Sequence, residues 1–497
     1  VTTPVISGFH PDPSICRVDD TYYLVNSSFE YAPGVPIHRS TDLLTWTLIG
    51  NILSRPGQLP PQAGTASSGL YAPTLRHHDG RFWMVTTNVS EMRRGHLIVS
   101  AEKPEGPWTD PVHVAGTLGI DPDLAWDEAG VCHLTWASFQ PGLRGIACVP
   151  IDPVTGAMLA EPRLLWNGTG LAAPEGPHLY RREGWWYLLL AEGGTERGHT
   201  VTVARARSLD GPFEAAPHNP VLTHRSTDHP VQNTGHADLV ELADGSWAMV
   251  YLGVRPRGRT PKFHVNGRET FLAGVDWVDG WPVVDEQRFP VPGRDHSFTD
   301  RFTRPGLDPR WVAPGTFPTA FTRWEGPGRL VLGRSPQTPQ TPALLLTRAR
   351  DTEWTAQARL DTSSGTGRFL LRIDSAHWYG LTADADGVEA TVAIGPAVSR
   401  VARVPRPAGR TVTLRITVHD AERTGGHGEP DAPDLVELAV VDDDGTCEVL
   451  GTFDGRYLST EVAGGFTGRM LGVEPVDGEV TLEEVSYTTR GGRDTPN

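Results

Sequence analysis

The chain has 497 residues, with 60 acidic against 44 basic side chains and a formal net charge of -16. By size alone that length calls for two or three domains. The acidic balance excludes nucleic acid and an anionic membrane surface as partners, because both require a basic face. A neutral ligand such as a sugar is easier to accommodate.

Gly 55 and Pro 43 are high, and long amphipathic helical stretches are hard to find. This texture predicts many short strands joined by tight turns. Over the first 290 residues a turn followed by an aromatic-rich strand recurs five times. The copies are Asp19-Asp20-Thr21-Tyr22-Tyr23, Asp79-Gly80-Arg81-Phe82-Trp83, Ala129-Gly130-Val131-Cys132-His133, Glu183-Gly184-Trp185-Trp186-Tyr187 and Asp244-Gly245-Ser246-Trp247-Ala248. Their intervals of roughly 50–60 residues are long for a four-stranded blade but within reach if loops are inserted. Five repeats predict five blades. Most tryptophans, including Trp83, Trp185, Trp186 and Trp247, are expected to pack between blades rather than hold a ligand.

A second periodicity lies inside the first. Eight or nine residues before each turn stand Asp12, Ala72, Asp121, Glu175 and His236. In a propeller the innermost strand of every blade begins at the same end of the central channel, so these positions converge on one pit. Any one of the acids could cap a turn or be solvated. Three carboxylates in a common phase point instead to chemistry. Crowded acids hold their protons differently, so one can serve as an acid while another stays ionised. Glycoside hydrolysis uses such a pair, one protonating the leaving oxygen and the other activating water or attacking directly. His236 on the axis fits a hydrogen-bonding plug as well as a ligand for water or metal.

Around Val291-Pro292-Gly293 the texture changes, and the repeat stops. Short apolar strands such as Leu344-Leu345-Leu346 and Phe369-Leu370-Leu371 follow. The expected architecture is therefore all-β: a five-bladed β-propeller over residues 1–293, then a β-sandwich over 297–490. The segment from Ala421 to Pro433, rich in Gly, Pro and charge, is expected to be an exposed loop. Cys16, Cys132, Cys148 and Cys447 are far apart, and nothing in their spacing demands a disulfide or a zinc site. No signal peptide opens the sequence, so a cytoplasmic location is expected, or a secreted one had a leader preceded Val1.

The stretches Gly8-Phe9-His10-Pro11-Asp12-Pro13-Ser14, Phe29-Glu30-Tyr31-Ala32-Pro33-Gly34, Glu175-Gly176-Pro177-His178, Ala191-Glu192-Gly193-Gly194-Thr195, Gly235-His236-Ala237-Asp238 and Gly267-Arg268-Glu269-Thr270 resemble those of family 43 glycoside hydrolases, in the family's order. The similarity is greatest to the β-xylosidase and α-L-arabinofuranosidase branch. The segment from Phe298 to Trp311 resembles the start of the concanavalin-like, jelly-roll sandwich that follows many of these enzymes. The resemblance implies an inverting exo-glycosidase acting on xylo-oligosaccharides or arabinose-substituted xylan fragments. It implies Asp12 as general base, Glu175 as general acid and Asp121 as the residue that tunes Glu175. It also implies Arg268 on a sugar hydroxyl, Phe29 and Tyr71 as apolar walls, and Phe466 near a sandwich loop that closes the pocket. No cofactor is required, although relatives hold water or a calcium ion where His236 would sit. Tyr71 and Thr74 depart from the Trp and Asp that xylosidases of this branch often carry, which leaves the preferred sugar open. A homo-oligomer is compatible with the second domain, but no surface for it can be read. The alternatives are a carbohydrate-binding propeller without catalysis and the retaining fructosidase group. The latter's Asn-Asp-Pro-Asn-Gly and Arg-Asp-Pro segments are absent.

Overall fold

The computed structural model describes residues 3–334, 342–406, 410–420 and 432–490. The loop expected at 421–433 therefore lies, up to residue 431, outside the described residues. Five antiparallel sheets follow one another between Ser14 and Asp285. Their innermost strands are Ser14–Val18, Thr74–His78, Gly119–Trp126, Glu175–Arg182 and Gln232–Glu241. Each pairs antiparallel with the strand after the predicted turn: Ser14–Val18 with Thr21–Val25, for example, and Glu175–Arg182 with Trp185–Glu192. Asp79-Gly80 and Glu183-Gly184 have positive φ at both central positions, the geometry whose twist matches that of a two-residue hairpin. The all-β, five-bladed expectation is met.

The predicted tryptophans pack where expected. Trp83 joins Leu134 and Trp136 of the next blade in one buried cluster, and Trp247 lies edge-on to Tyr180 at 6.3 Å. The ring of blades is closed by the N-terminal segment, where Ile6 forms a β-bridge with Thr270 of the fifth blade. All four cysteines are free thiols.

Between Phe298 and Thr489 the chain forms two β-sheets packed around a single apolar core that includes Trp311, Trp354, Phe369 and Tyr487. The strand Met470–Thr489 runs through both sheets and pairs with Phe298–Asp300, Leu330–Gly333, Leu345–Arg348, Trp354–Asp361 and Gly365–Arg372. Gly478, at φ 63°, marks the corner where the strand passes from one sheet to the other, a bend that an L side chain would resist.

The two folds are fused rather than strung together. Tyr31–Ala32 of the propeller pairs with Ala313–Pro314 of the sandwich region. Phe9, Phe29 and Tyr31 share a buried cluster with Leu344, Leu346, Leu370 and Met470. Arg348 Nε donates to the Phe9 carbonyl at 2.7 Å. This seam places sandwich side chains at the mouth of the propeller channel.

Candidate active site

The strand register refines the predicted phase. Ser14, Thr74, Asp123, His178 and Asp238 face equivalent partners on the second strands, namely Val25, Val85, Thr135, Leu189 and Val250. Two residues before them stand Asp12, Ala72, Asp121, Gly176 and His236. Gly176, not Glu175, is thus the equivalent of Asp12, and Glu175 lies one residue further upstream. The three later strands all carry a register shift here, between Ile120 and Asp123, Glu175 and His178, and Gly235 and Asp238. Such bulges re-aim side chains at a strand end. Asp12, Asp121, Gly176 and His236 all have φ between 47° and 56°. In this conformation the backbone turns at the rim, and Gly176 packs so closely on His236 that a Cβ would lie 3.1 Å from the imidazole.

The segment carrying Asp12 is tied down by its neighbours. Gly8 N–H donates to Glu269 Oε1 at 2.8 Å. The Asn26 amide donates to the carbonyls of His10 and Pro11, both at 3.0 Å. Asp12 is 5% exposed. Its Oδ2 accepts from Ser27 Oγ at 2.5 Å and its Oδ1 from Arg268 Nη1 at 3.0 Å. Burial alone would raise its pKa, but the Arg268 guanidinium, His236 and the Ser27 hydroxyl together hold it below the usual carboxylate value. Asp12 is built to stay ionised.

The other two acids are pushed the opposite way. Burial raises the Glu175 carboxyl to about 7, with the charge of Asp12 adding to the rise and Arg268 opposing it. Asp121 is also driven well up, by burial and then by Glu175 and Asp12. Its Oδ2 accepts the Gly176 N–H at 3.1 Å, which anchors the residue next to Glu175. The structure therefore brings all three predicted carboxyls into one electrostatic neighbourhood and separates their proton affinities.

The predicted walls assemble as well. Phe29 meets Tyr71 edge-on at 5.2 Å and stacks on Phe466 at 5.7 Å, while Tyr71 lies 5.9 Å from Phe466. The Arg268 guanidinium lies 5.8 Å from the Phe29 ring and 5.4 Å from the Phe466 ring, so two aromatic faces confine it. Its Nη1 also donates to Thr195 Oγ1 at 2.9 Å, and its buried Nε has no protein partner.

His236 is buried beside Asp12. Burial lowers it to about 4 against the pull of Asp12, and its Nδ1 stands 3.7 Å from Asp12 Oδ1. Calcium takes roughly six to eight oxygen ligands. Among the described residues no group of three or more His, Cys, Asp or Glu side chains is placed to hold a metal ion. The neutral imidazole beside Asp12 fits a hydrogen-bonding plug and equally a single protein ligand to a hydrated ion.

Two features escaped the sequence. Ser27 and Thr195 fix Asp12 and Arg268. Ser27 was detectable as a hydroxyl just beyond a second strand that returns to the pit. Arg76 forms a partly buried hub that donates to Asp123 Oδ1 and Asp238 Oδ2, each at 2.7 Å. Asp238 also accepts from Ser14 Oγ at 2.7 Å and Tyr180 Oη at 2.6 Å. The hub ties all five blades together around the axis, through Ser14, Arg76, Asp123, Tyr180 and Asp238.

The profile described as Glycosyl hydrolases family 43 matches residues 1–282, and that of the Beta xylosidase C-terminal Concanavalin A-like domain matches residues 299–480. A xylosidase/arabinosidase of Butyrivibrio fibrisolvens is 46% identical over 295 residues, covering 57% of this chain and 56% of that protein. A non-reducing end alpha-L-arabinofuranosidase of Bacteroides ovatus is 46% identical over 285 residues, covering 56% of this chain and 53% of that protein. The chain thus spans about half the length of the curated relatives it matches. Among solved structures, the Bacteroides ovatus xyloglucan PUL GH43B superposes with a TM-score of 0.87 at 33% identity, over 98% of this chain and 99% of that one. The xylan beta-1,4-xylosidase of Bacillus halodurans also reaches 0.87, at 27% identity over 98% and 100%.

Proposed function

The chain belongs to family 43 of the glycosyl hydrolases, and from that premise we propose that it removes terminal xylose or arabinose from xylo-oligosaccharides and arabinose-bearing xylan fragments, with inversion. One observation carries the reading: a single pit brings together Asp12, held ionised by its bonds to Arg268 and Ser27, and Glu175, whose hold on its proton burial raises to about 7. A binding propeller without catalysis has no use for that asymmetry. The names of the relatives support a pentose as the sugar removed.

In the proposed reaction Asp12 accepts a proton from the attacking water, its position fixed by Ser27 and Arg268. Glu175 donates its proton to the leaving oxygen. Asp121 accepts the Gly176 N–H and so holds the backbone beside Glu175, while the charge of Asp12 strengthens Glu175's grip on its proton. Arg268, confined between Phe29 and Phe466, presents its unpartnered Nε to a sugar hydroxyl. The aromatic walls exclude water from the sugar face and reinforce these charges.

The pH dependence has a definite sign. Glu175 must carry its proton, so kcat/KM falls as pH rises through about 7. Asp12 must be ionised, so activity falls on the acid side only below the ordinary carboxylate value of 3.8. The expected profile is a broad bell, read with an aryl β-xyloside from pH 3 to 9 over a range in which the fold persists. An acid limb centred above pH 5 contradicts the role of Asp12.

The function itself is tested by comparing rates on aryl β-xyloside and aryl α-L-arabinofuranoside and following the released anomer by NMR. Turnover of either with inversion is the expected result. Retention of configuration, or no turnover of either, removes the proposal.

A further inference from the structure

We propose that Glu30 is a positioning residue for the sugar pocket, holding the pocket wall through the backbone of Ser67. The inference rests on the reading of the pit as a sugar site, but its contacts stand independently. Glu30 is 5% exposed and follows Phe29 directly in the chain. Its Oε2 accepts the Ser67 N–H at 2.9 Å. Ser67 is held at φ 59°, a conformation that a non-glycine residue keeps only when its surroundings impose it.

From Ser67 the contacts divide. Its Oγ accepts the Phe466 N–H at 2.8 Å, and its carbonyl accepts from Tyr71 Oη at 3.2 Å. Two of the three aromatic walls, one from each domain, thus hang on one residue, and Glu30 fixes that residue. The Glu30 carbonyl, meanwhile, accepts the Gly315 N–H at 2.7 Å, so the same glutamate is anchored to the sandwich side of the seam. The catalytic scheme gives this buried acid no task. It touches neither Asp12 nor Glu175, and its Oε1 has no protein partner. Burial raises its carboxyl to about 7, against the N–H groups of Glu30 and Ser67 and the charge of Arg372, with the charge of Asp374 adding to the rise. The neutral form is therefore well populated near pH 7, and glutamine is a close copy of it.

The experiment compares Glu30→Ala and Glu30→Gln with the unaltered chain by steady-state kinetics and by hydrogen exchange of peptides spanning 64–71 and 464–468. Alanine is expected to raise KM about tenfold, the effect of losing roughly one buried hydrogen bond. It should leave kcat within about twofold and speed exchange in both peptides. Glutamine should restore KM and protection. Unchanged exchange at 464–468 in Glu30→Ala overturns the relay, as does a glutamine variant that behaves like alanine. Should alanine prevent folding, Ser67→Ala keeps Glu30 and severs only the bond to the Phe466 N–H. It must still speed exchange at 464–468, and failure to do so refutes the proposal. Absence of turnover in the unaltered chain would fault the glycosidase reading alone, because the exchange comparison needs no substrate.

Discussion

Glu175→Gln is expected to lower kcat on xylobiose by about a thousandfold or more while costing no more than about tenfold on a dinitrophenyl glycoside. General acid catalysis contributes roughly 10²–10⁴-fold, and the benefit is largest where the leaving oxygen is a strongly basic alkoxide. A dinitrophenolate departs without a proton, so the neutral amide costs it little. The alkaline limb near pH 7 should also vanish from the variant's profile on the activated substrate, because the group raised to about 7 is gone. Stopped-flow or discontinuous assays on the two substrates provide the comparison. Equal losses on both would remove Glu175 from the role of acid and leave Asp121, whose proton is also held tightly, as the candidate.

Arg76→Met is expected to produce the largest loss of stability. Arg76, with 15% of its side chain exposed, packs against Asp123 and Asp238, which are fully enclosed. Removing one partner of a buried ion pair costs about 3–5 kcal/mol, because the remaining charge is stranded. Here two carboxylates lose their cation. The sign of the pH dependence follows from Asp238. Burial, the largest single influence, would raise its pKa, but Arg76 together with His178 and the Tyr180 hydroxyl outweighs burial and depresses it strongly. That stabilisation is present above the unfolded-state pKa and is lost as pH falls through the depressed value. In the variant the acids take up protons more readily, which relieves the stranded charge at low pH. The gap between variant and parent should therefore be widest at pH 7 and narrow toward pH 4, measured by urea unfolding. A gap that is constant with pH would show that the guanidinium acts by packing alone.

Much of this was legible in the sequence because a propeller writes its period into its turns. Asp19-Asp20, Asp79-Gly80 and Glu183-Gly184 mark hairpins that any reading of turn chemistry finds, and the acids ahead of them fall at one end of the channel. The offset of Glu175 by one residue was hidden. The turns differ in length, with five residues between Trp126 and Cys132 and between Glu241 and Trp247 but two between Arg182 and Trp185, so an equal count back from the turn lands one residue upstream of the equivalent position. The Arg76 hub was hidden for another reason. Its members come from five blades and have no common residue type, so Ser14, Asp123, Asp238 and His178, whose Nδ1 lies 2.9 Å from Arg76 Nη2, look like ordinary strand residues until they meet. Phe466 and the pairing of Tyr31–Ala32 with Ala313–Pro314 are contacts across hundreds of residues. Hydrophobic periodicity carries no information on such distances, and only likeness to a family pointed to Phe466.

The place of Met470–Thr489 in the sandwich has a consequence for biosynthesis. A ribosome delivers this strand after the five strands it joins, so the sandwich cannot assemble while the nascent chain ends short of it. The propeller, complete some two hundred residues earlier, can already have drawn Asp12, Asp121 and Glu175 together. Phe466 comes just before the late strand and docks only when that strand is in place. A stalled or prematurely terminated product would thus carry its acids in an unroofed basin, with Arg268 flanked by one aromatic ring instead of two.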